Sequence, residues 1–299
     1  MQSRFDWNDL KFFLELGRRK KMVAAAKLLK VDHTTVSRRI TALETAIGAK
    51  LFFKNEQGYQ LSKAGEDLMP LAIQVENATA QAYENIGGEA HSFSGTVRIG
   101  APDGIGTFFV APRLSRFQEE HPDLQVDLIV MPRYFNLSQH EAHLSMSLAR
   151  PKSGRLLGRK MTDYSLQFFA STIYLKKYGV PKNRQDLMKH KIVGYIDDMV
   201  YAPELRYMDE FGDLPVHFRS SSIIAQRQAI MAGTGIGVLP RFLAKDDPRL
   251  VPVLQDDYHI TRSIWLLSHE DTTNLARIRA VSEFLQNEAR ANRDLFIAP

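Results

Sequence analysis

Along the first fifty residues, apolar positions recur at helical spacing in three short blocks. Leu10, Phe13 and Leu14 share one face of a helix that Asn8 can cap and that runs to about residue 18, with Gly17 breaking the pattern. A basic connection follows, Arg18, Arg19, Lys20 and Lys21. The second helix, about 23–30, carries Ala25 and Ala26, small enough for a close helix crossing, and buries Leu29. Asp32 is a good N-cap for a third helix that opens at His33, because its carboxylate accepts N–H bonds from the next turn. In that helix Val36, Ile40, Leu43 and Ile47 form one apolar stripe, and Gly48 closes it. The opposite face presents His33, Thr34, Thr35, Ser37, Arg38 and Arg39.

Two short helices joined by a tight turn, the second apolar on one side and polar-basic on the other, describe a helix-turn-helix. The chemistry suits DNA: a helix N-terminus offers free N–H groups to phosphate, and hydroxyl, imidazole and guanidinium groups match base edges in the major groove. An ordinary three-helix core with a solvated face fits the same pattern. The next segment, residues 51–61, reads as strand, turn (55–58) and strand, a hairpin wing whose Lys54 would reach phosphate. Charge placement agrees. The net charge is +5, yet residues 1–62 hold 12 Lys/Arg against 6 Asp/Glu, a net of +6, while the remainder holds 27 against 28. A basic module that meets a polyanion, joined to a neutral body, is the reading this favours over a merely solvated basic face.

From residue 62 to about 86 the chain is polar and helix-permissive. Leu68, Leu71, Val75, Ala78 and Ala82 recur at spacings of three and four, a coiled-coil seam; Ser62 can cap the start, and Pro70, inside the pattern, should kink the helix or begin its straight part. The same seam would also serve for packing against its own domain. A stretch of Gly and Ser, 87–95, reads as a hinge. Beyond it a strand (96–100), a helix (108–120) and a strand (124–130) make a βαβ unit, in which ligands sit where strands end and helices begin, here at Ala101–Gly104.

Composition and missing motifs narrow the classes. The 299 residues, 44% hydrophobic and 24% charged, are enough for more than one folded domain. There is no cysteine, which excludes disulfide frameworks, cysteine-ligated metals and thiol catalysis. No apolar run is long enough for a membrane span, and the N-terminus is not a basic stretch followed by an apolar core, so a cytoplasmic location is expected. His140 and His143 lack the spacing of a zincin helix, and the glycines at 233, 235 and 237 do not make a dinucleotide fingerprint. There is no nucleophile elbow and no phosphate-binding loop, so neither a catalytic constellation nor a cofactor or metal site is expected.

The run AAAKLLKVDHTTVSRRITALETAIGAKLFFKNEQGYQLSKAGE resembles the N-terminal domain of LysR-type transcriptional regulators, matching at Ala25, Ala26, Leu29, Val36, Ser37, Arg38, Ile40, Leu43, Glu44, Gly48, Leu51, Phe52, Leu61, Ser62, Ala64 and Gly65, with Leu10 and Phe13 upstream. Lys30 stands where the family has Gly, Lys21 where it has a capping Ser, His33-Thr34-Thr35 for Gln-Pro-Ala/Ser, and Lys54 for a wing Arg. Later stretches, GTVRIGAP and AIMAGTGIGVLPRFLAKDDPRLVPVL among them, resemble the effector domain of that family, which is similar to type 2 periplasmic binding proteins. The resemblance implies a winged helix-turn-helix at 1–61, a dimerising linker helix at 62–88, a hinge at 89–94 and an α/β effector domain at 95–299. Its two subdomains would be 95–163 with 268–299, and 164–267, crossed by strands near 161–165 and 266–268.

The implied function is sequence-specific operator binding controlled by a small-molecule effector. The implied assembly is a homotetramer, a dimer of dimers, with RNA polymerase as a further partner. His33, Thr34, Thr35, Ser37, Arg38 and Arg39 would engage operator DNA; Lys54 and the Arg18, Arg19, Lys20, Lys21 run would bind phosphates. Pro102, Asp103, Gly104, Ser147, Asp197, Ser220, Ser221, Ser222 and Gly235 are the candidate effector contacts. Asp198, Met199, Gly233 and Gly237 are their neighbours. Ser147 stands where the family often has a pocket Arg, which weakens the expectation of a carboxylic acid effector. Two rival classes fit the sequence less well: a solute-binding protein with a helical N-terminal extension, against which the basic extension speaks, and an enzyme on a two-subdomain scaffold, which would need titratable groups converging in the cleft.

Overall fold

A computed structural model describes residues 5–56, 58–87, 95–131, 137, 142–151, 155–212, 214–255 and 258–297. Two compact units emerge, one over the described residues up to 87 and one over those from 95.

The first unit begins with α1 (Trp7–Arg19), α2 (Met22–Leu29) and α3 (His33–Ile47). Asp6, not Asn8, caps α1: its carboxylate accepts from Asn8 N at 3.0 Å, and the helix runs through Gly17. Phe13, Leu16, Val36, Leu43 and Leu51 are wholly buried together with Leu10, Ala25, Ala26 and Ile40. Truncating a ring such as Phe13 to Ala would cost about 3–5 kcal/mol. The expected α3 stripe ends one turn early. Ile47 is exposed, and Glu44 takes the buried place, accepting from Leu51 N at 2.9 Å and from Lys50 Nζ at 2.6 Å. The cause is the chain reversal after Gly48, which brings backbone rather than side chains over this end of the helix.

The strands β1 (Phe52–Asn55) and β2 (Gly58–Leu61) pair antiparallel and close the wing. Helix α4 (Lys63–Gly87) follows, its first turn capped by Ser62, whose hydroxyl accepts from Gly65 N at 3.1 Å. A Cβ at Gly65 would lie 2.3 Å from Leu51 O, so only glycine permits this approach of α4 to the strand entry. Pro70 lies within the helix, which continues past it. The expected seam is divided. Leu68 and Val75 lean on the unit's own core beside Ala72 and Ile73, whereas Leu71, Ala78 and Ala82 are exposed. One face of α4 is thus used up on α1.

The second unit is a mixed α/β fold whose described residues build a nine-stranded sheet. In order of position its strands are β4 (Leu124–Val130), β3 (Gly95–Ala101), β5 (Leu144–Ser147), β11 (His259–His269), β6 (Leu156–Ser171), β9 (Ile236–Pro240), β7 (Ile192–Gly194) and β8 (Val216–Arg219), with β10 (Leu250–Val253) also on β6. The long strands β6 and β11 are antiparallel and tie the two ends of the sheet together. Their register shifts at Ile264/Trp265, where β11 gains β5 as a second neighbour, a little ahead of the expected 266–268 crossing. A helical run of α5 (Asp103–Ile105), a π-type turn (Gly106–Val110) and α6 (Ala111–Glu120) follows β3, starting earlier than the sequence suggests. The remaining helices are α7 (Thr172–Tyr178), α8 (Arg184–Leu187), α9 (Ile223–Met231), α10 (Ala276–Ala291) and α11 (Arg293–Phe296). The hinge expected at 89–94 lies outside the described residues, as does His140.

Candidate DNA-binding surface and effector cavity

Asp32 organises the start of α3. Its carboxylate accepts from Thr35 N at 2.7 Å and from the hydroxyls of Thr34 at 2.5 Å and Thr35 at 3.2 Å. The Thr34 hydroxyl bond above all, with the Thr35 N–H, holds the Asp32 carboxyl down from 3.8 to about 2. Both threonine hydroxyls therefore point their protons at Asp32 and turn lone pairs outward. His33, Ser37 and Arg38 are exposed on the same helical face, and Arg38 makes no ion pair among the described residues.

Arg39 is turned inward instead. Its guanidinium pairs with Asp6 and Asp9, each at 3.1 Å, and lies over the Phe12 ring. Asp9 is buried on α1; desolvation pushes its carboxyl up, with Arg39 opposing the shift. Arg39 thus fixes α3 against α1 and is not free to reach a base. Arg18 is likewise engaged. It bonds Glu76 on α4 with both terminal nitrogens, at 2.9 and 2.6 Å, and Glu15 at 3.1 Å. Burial opposes its charge, but the bonds to Glu76 and Glu15 prevail and raise the guanidinium further. Arg19 pairs more loosely with Glu15, at 3.7 Å. Lys20, Lys21 and Lys54 are exposed. Lys20 closes α1 in a left-handed conformation, and its carbonyl accepts from Tyr59 N in the wing at 2.8 Å. Lys30 closes α2 in the same way. Neither clamp was foreseeable, because the acidic partners lie 30 and 58 residues from their arginines.

In the second unit an apolar cavity of about 40 Å³ opens between the β3–α5 turn and the start of α9. Pro102, Asp103 and Gly104 line it, with Tyr164, Tyr195, Tyr201 and Tyr207 around them. Asp103 Oδ2 accepts from the Ser222 hydroxyl at 2.6 Å, and the Ser222 Oγ in turn caps α9 by accepting from Ala225 N at 3.3 Å. Burial pushes the Tyr195 and Tyr207 phenols well up, and the Asp103 charge adds to this.

Other expected contacts fall elsewhere. Ser147 is buried and accepts from Ala149 N at 3.2 Å, outside the lining. Asp197 is exposed on a 3-10 turn, and its carbonyl accepts from Arg206. Ser220 serves backbone turns through Gly194 O and Ser222 N, and Ser221 is half-buried but not in the lining. At Gly235 a Cβ would lie 2.3 Å from Lys191 O, so the glycine serves a close backbone approach. The cavity tyrosines were missed, although Tyr195, Tyr201 and Tyr207 stand six apart in one short stretch.

A larger groove of about 570 Å³ runs past Arg113, Arg227, Lys245 and Arg249, but its cations are already engaged. Arg227 donates to Leu243 O and Asp247, Arg249 to Asp247, Lys245 to Asp294, and Arg113 pairs with Glu288. Among the described residues no His/Asp/Glu group is arranged to hold a metal; His143 Nδ1 accepts from Arg98 N at 2.9 Å. No described helix is long and apolar enough to cross a membrane.

A basic winged helix-turn-helix followed by an α/β unit with an internal cavity defines a ligand-responsive DNA-binding regulator. Residues 7–66 match the profile of the bacterial regulatory helix-turn-helix protein, lysR family, and residues 90–290 match that of the LysR substrate binding domain. The chain belongs to the LysR family of transcriptional regulators, with a helix-turn-helix DNA-binding domain and an effector-binding domain. The match of both parts leaves the solute-binding alternative without support.

An HTH-type transcriptional regulator of Xanthomonas campestris is 28% identical over 186 residues, 62% of this chain and 54% of that protein. The probable HTH-type transcriptional regulator LtrA of Klebsiella pneumoniae is 25% identical over 95% of this chain and 94% of its own. The solved structure of CrgA, a LysR-type regulator from Neisseria meningitidis, is similar in fold at a TM-score of 0.60, with 21% identity over 95% of this chain and 99% of that one.

Proposed function

We propose that α3 reads operator DNA through His33, Thr34, Thr35, Ser37 and Arg38, while Lys20, Lys21 and Lys54 hold phosphates. The observation that carries this reading is the exposed face of α3, fixed from behind by the Asp9–Arg39 pair and capped by Asp32. With their protons committed to Asp32, Thr34 and Thr35 offer acceptors to the amino groups of cytosine or adenine. Arg18 and Arg39 serve as positioning residues rather than as contacts. Two such helices must be held about one DNA turn apart, ~34 Å, and the exposed Leu71, Ala78 and Ala82 on α4 suit pairing with a second copy. A tetramer built as a dimer of dimers in the cytoplasm, contacting RNA polymerase when bound, completes the reading.

The effector is assigned to the cavity around Asp103 and Ser222, because the larger groove is already neutralised by its own ion pairs. Effector binding would change the packing of the sheet's two ends about β6 and β11 and so bias the DNA-binding units. Selection of bound fragments from a random DNA pool is the test. Enrichment of a two-fold symmetric sequence supports the reading, and recovery of unenriched DNA contradicts it.

A further inference from the structure

We infer that the tyrosine-lined cavity of the α/β unit takes a small organic ammonium ion and rejects small carboxylates. The inference rests on the effector assignment above and gives the ligand its charge. Two helical segments begin at this cavity, the run from Asp103 and α9 from Ile223. Helix starts favour negative charge, so this is where an anionic ligand would be held. The chain already places its own carboxylate there. Asp103, bonded to Ser222 from 119 residues away, occupies the position with Oδ2, while Oδ1 accepts from Gly104 N at 3.0 Å. A ligand carboxylate brought to the same place would meet a like charge at close range in an apolar enclosure.

No Lys, Arg or His lines the cavity among the described residues, and Asp103 is its one charged side chain. Arg262 and Glu204 act on Tyr164 from outside the lining. The Asp103 carboxylate uses two of its roughly four acceptor positions on Ser222 and Gly104, so it can still accept from an N–H donor. Around it stand Tyr164, Tyr195 and Tyr207, all buried, and Tyr201, half-buried. The Tyr195 and Tyr207 rings lie 5.9 Å apart at 67°, so that they present different faces and edges. Aromatic faces attract ammonium groups, most strongly where water is excluded. A carboxylate with aromatic walls and no cation is complementary to an alkylammonium head. The volume of about 40 Å³ restricts that head to a few heavy atoms.

The test titrates the full-length protein with n-butylammonium chloride or with sodium butyrate at matched ionic strength, by calorimetry. Saturable binding of butylammonium is expected, with none of butyrate. Asp103→Asn should weaken the ammonium by about tenfold or more, since one charge-assisted contact is lost. Tyr201→Leu, at a half-buried position, should weaken it several-fold and serves if Asp103→Asn does not fold. Butyrate binding equal to or tighter than butylammonium, no saturable ammonium binding, or unchanged affinity in the variants would overturn the inference. DNA binding by the same samples keeps the two readings apart: intact salt-sensitive DNA binding without ammonium binding removes the inference alone.

Discussion

The pair between Arg18 on α1 and Glu76 on α4 is the most direct gauge of how the linker helix is held. Arg18 side-chain exposure is 23% and that of Glu76 is 37%, and two bonds join them, at 2.9 and 2.6 Å. Charge-assisted bonds are worth about 1.5–3 kcal/mol when well sheltered, whereas exposed pairs give ~0.2–1 kcal/mol. Glu76 is more than a third exposed, so solvent screening pulls the pair down to about 1–2 kcal/mol. A double-mutant cycle of Arg18→Ala and Glu76→Ala isolates that term. The assay is hydrogen exchange of the α1 and α4 amides in the full chain, converted to opening free energies. A coupling below about 0.3 kcal/mol would refute the clamp. DNA affinity measured against salt supplies a second reading. A positioning residue leaves the salt slope unchanged, whereas a phosphate contact removed from the chain lowers it by about one.

Replacing Lys30 by Gly should stabilise the first unit by roughly 0.5–1 kcal/mol in chemical denaturation. Its φ of 54° strains a lysine by about 1–2 kcal/mol, against ~0.5–1 kcal/mol of extra glycine chain entropy. A loss of stability would contradict the strain argument. Asp32 has a carboxyl held below its ordinary value, so its contribution should be present above pH 4 and vanish as pH falls toward 2. Helix content of wild type and Asp32→Asn, followed by circular dichroism during denaturation, should differ at neutral pH and converge near pH 2; a constant difference would contradict the assignment. Leu71→Glu or Ala78→Glu should shift sedimentation toward smaller species while leaving helix content intact. An unchanged sedimentation coefficient would show that the exposed face of α4 is not an interface.

Helix α3 was the most legible part of the chain, because its signals are local. An Asp N-cap, a 3-4-spaced apolar stripe and a closing glycine all fall within seventeen residues. The stripe misled at Ile47, since what covers the last turn is the backbone at Leu51, to which Glu44 bonds. The basic count was right in sign but not in use. Arg18 and Arg39 contribute charge that Glu15, Glu76, Asp6 and Asp9 take up, and such partners become neighbours only through helix packing. In the second unit the β3–α5 turn, which lines the cavity, is pointed to by the rule that ligands meet strands at their ends. The tyrosine walls are not, because they come from strand β6 (Tyr164), the chain just after β7 (Tyr195) and the irregular stretch beyond it (Tyr201, Tyr207), with no periodic signature. Asp197 and Gly235 drew notice as polar or flexible residues near strand ends; the first faces outward and the second relieves a backbone contact.

The central claim is that the polar side of α3 meets DNA. Fluorescence anisotropy with the selected operator, across 50–200 mM salt, tests it for wild type and Arg38→Ala. The expected result is a log-linear fall of wild-type affinity with salt, and an Arg38→Ala affinity lower by about tenfold or more on operator with native helix content retained. Operator binding that ignores both salt and the loss of the Arg38 guanidinium would contradict it.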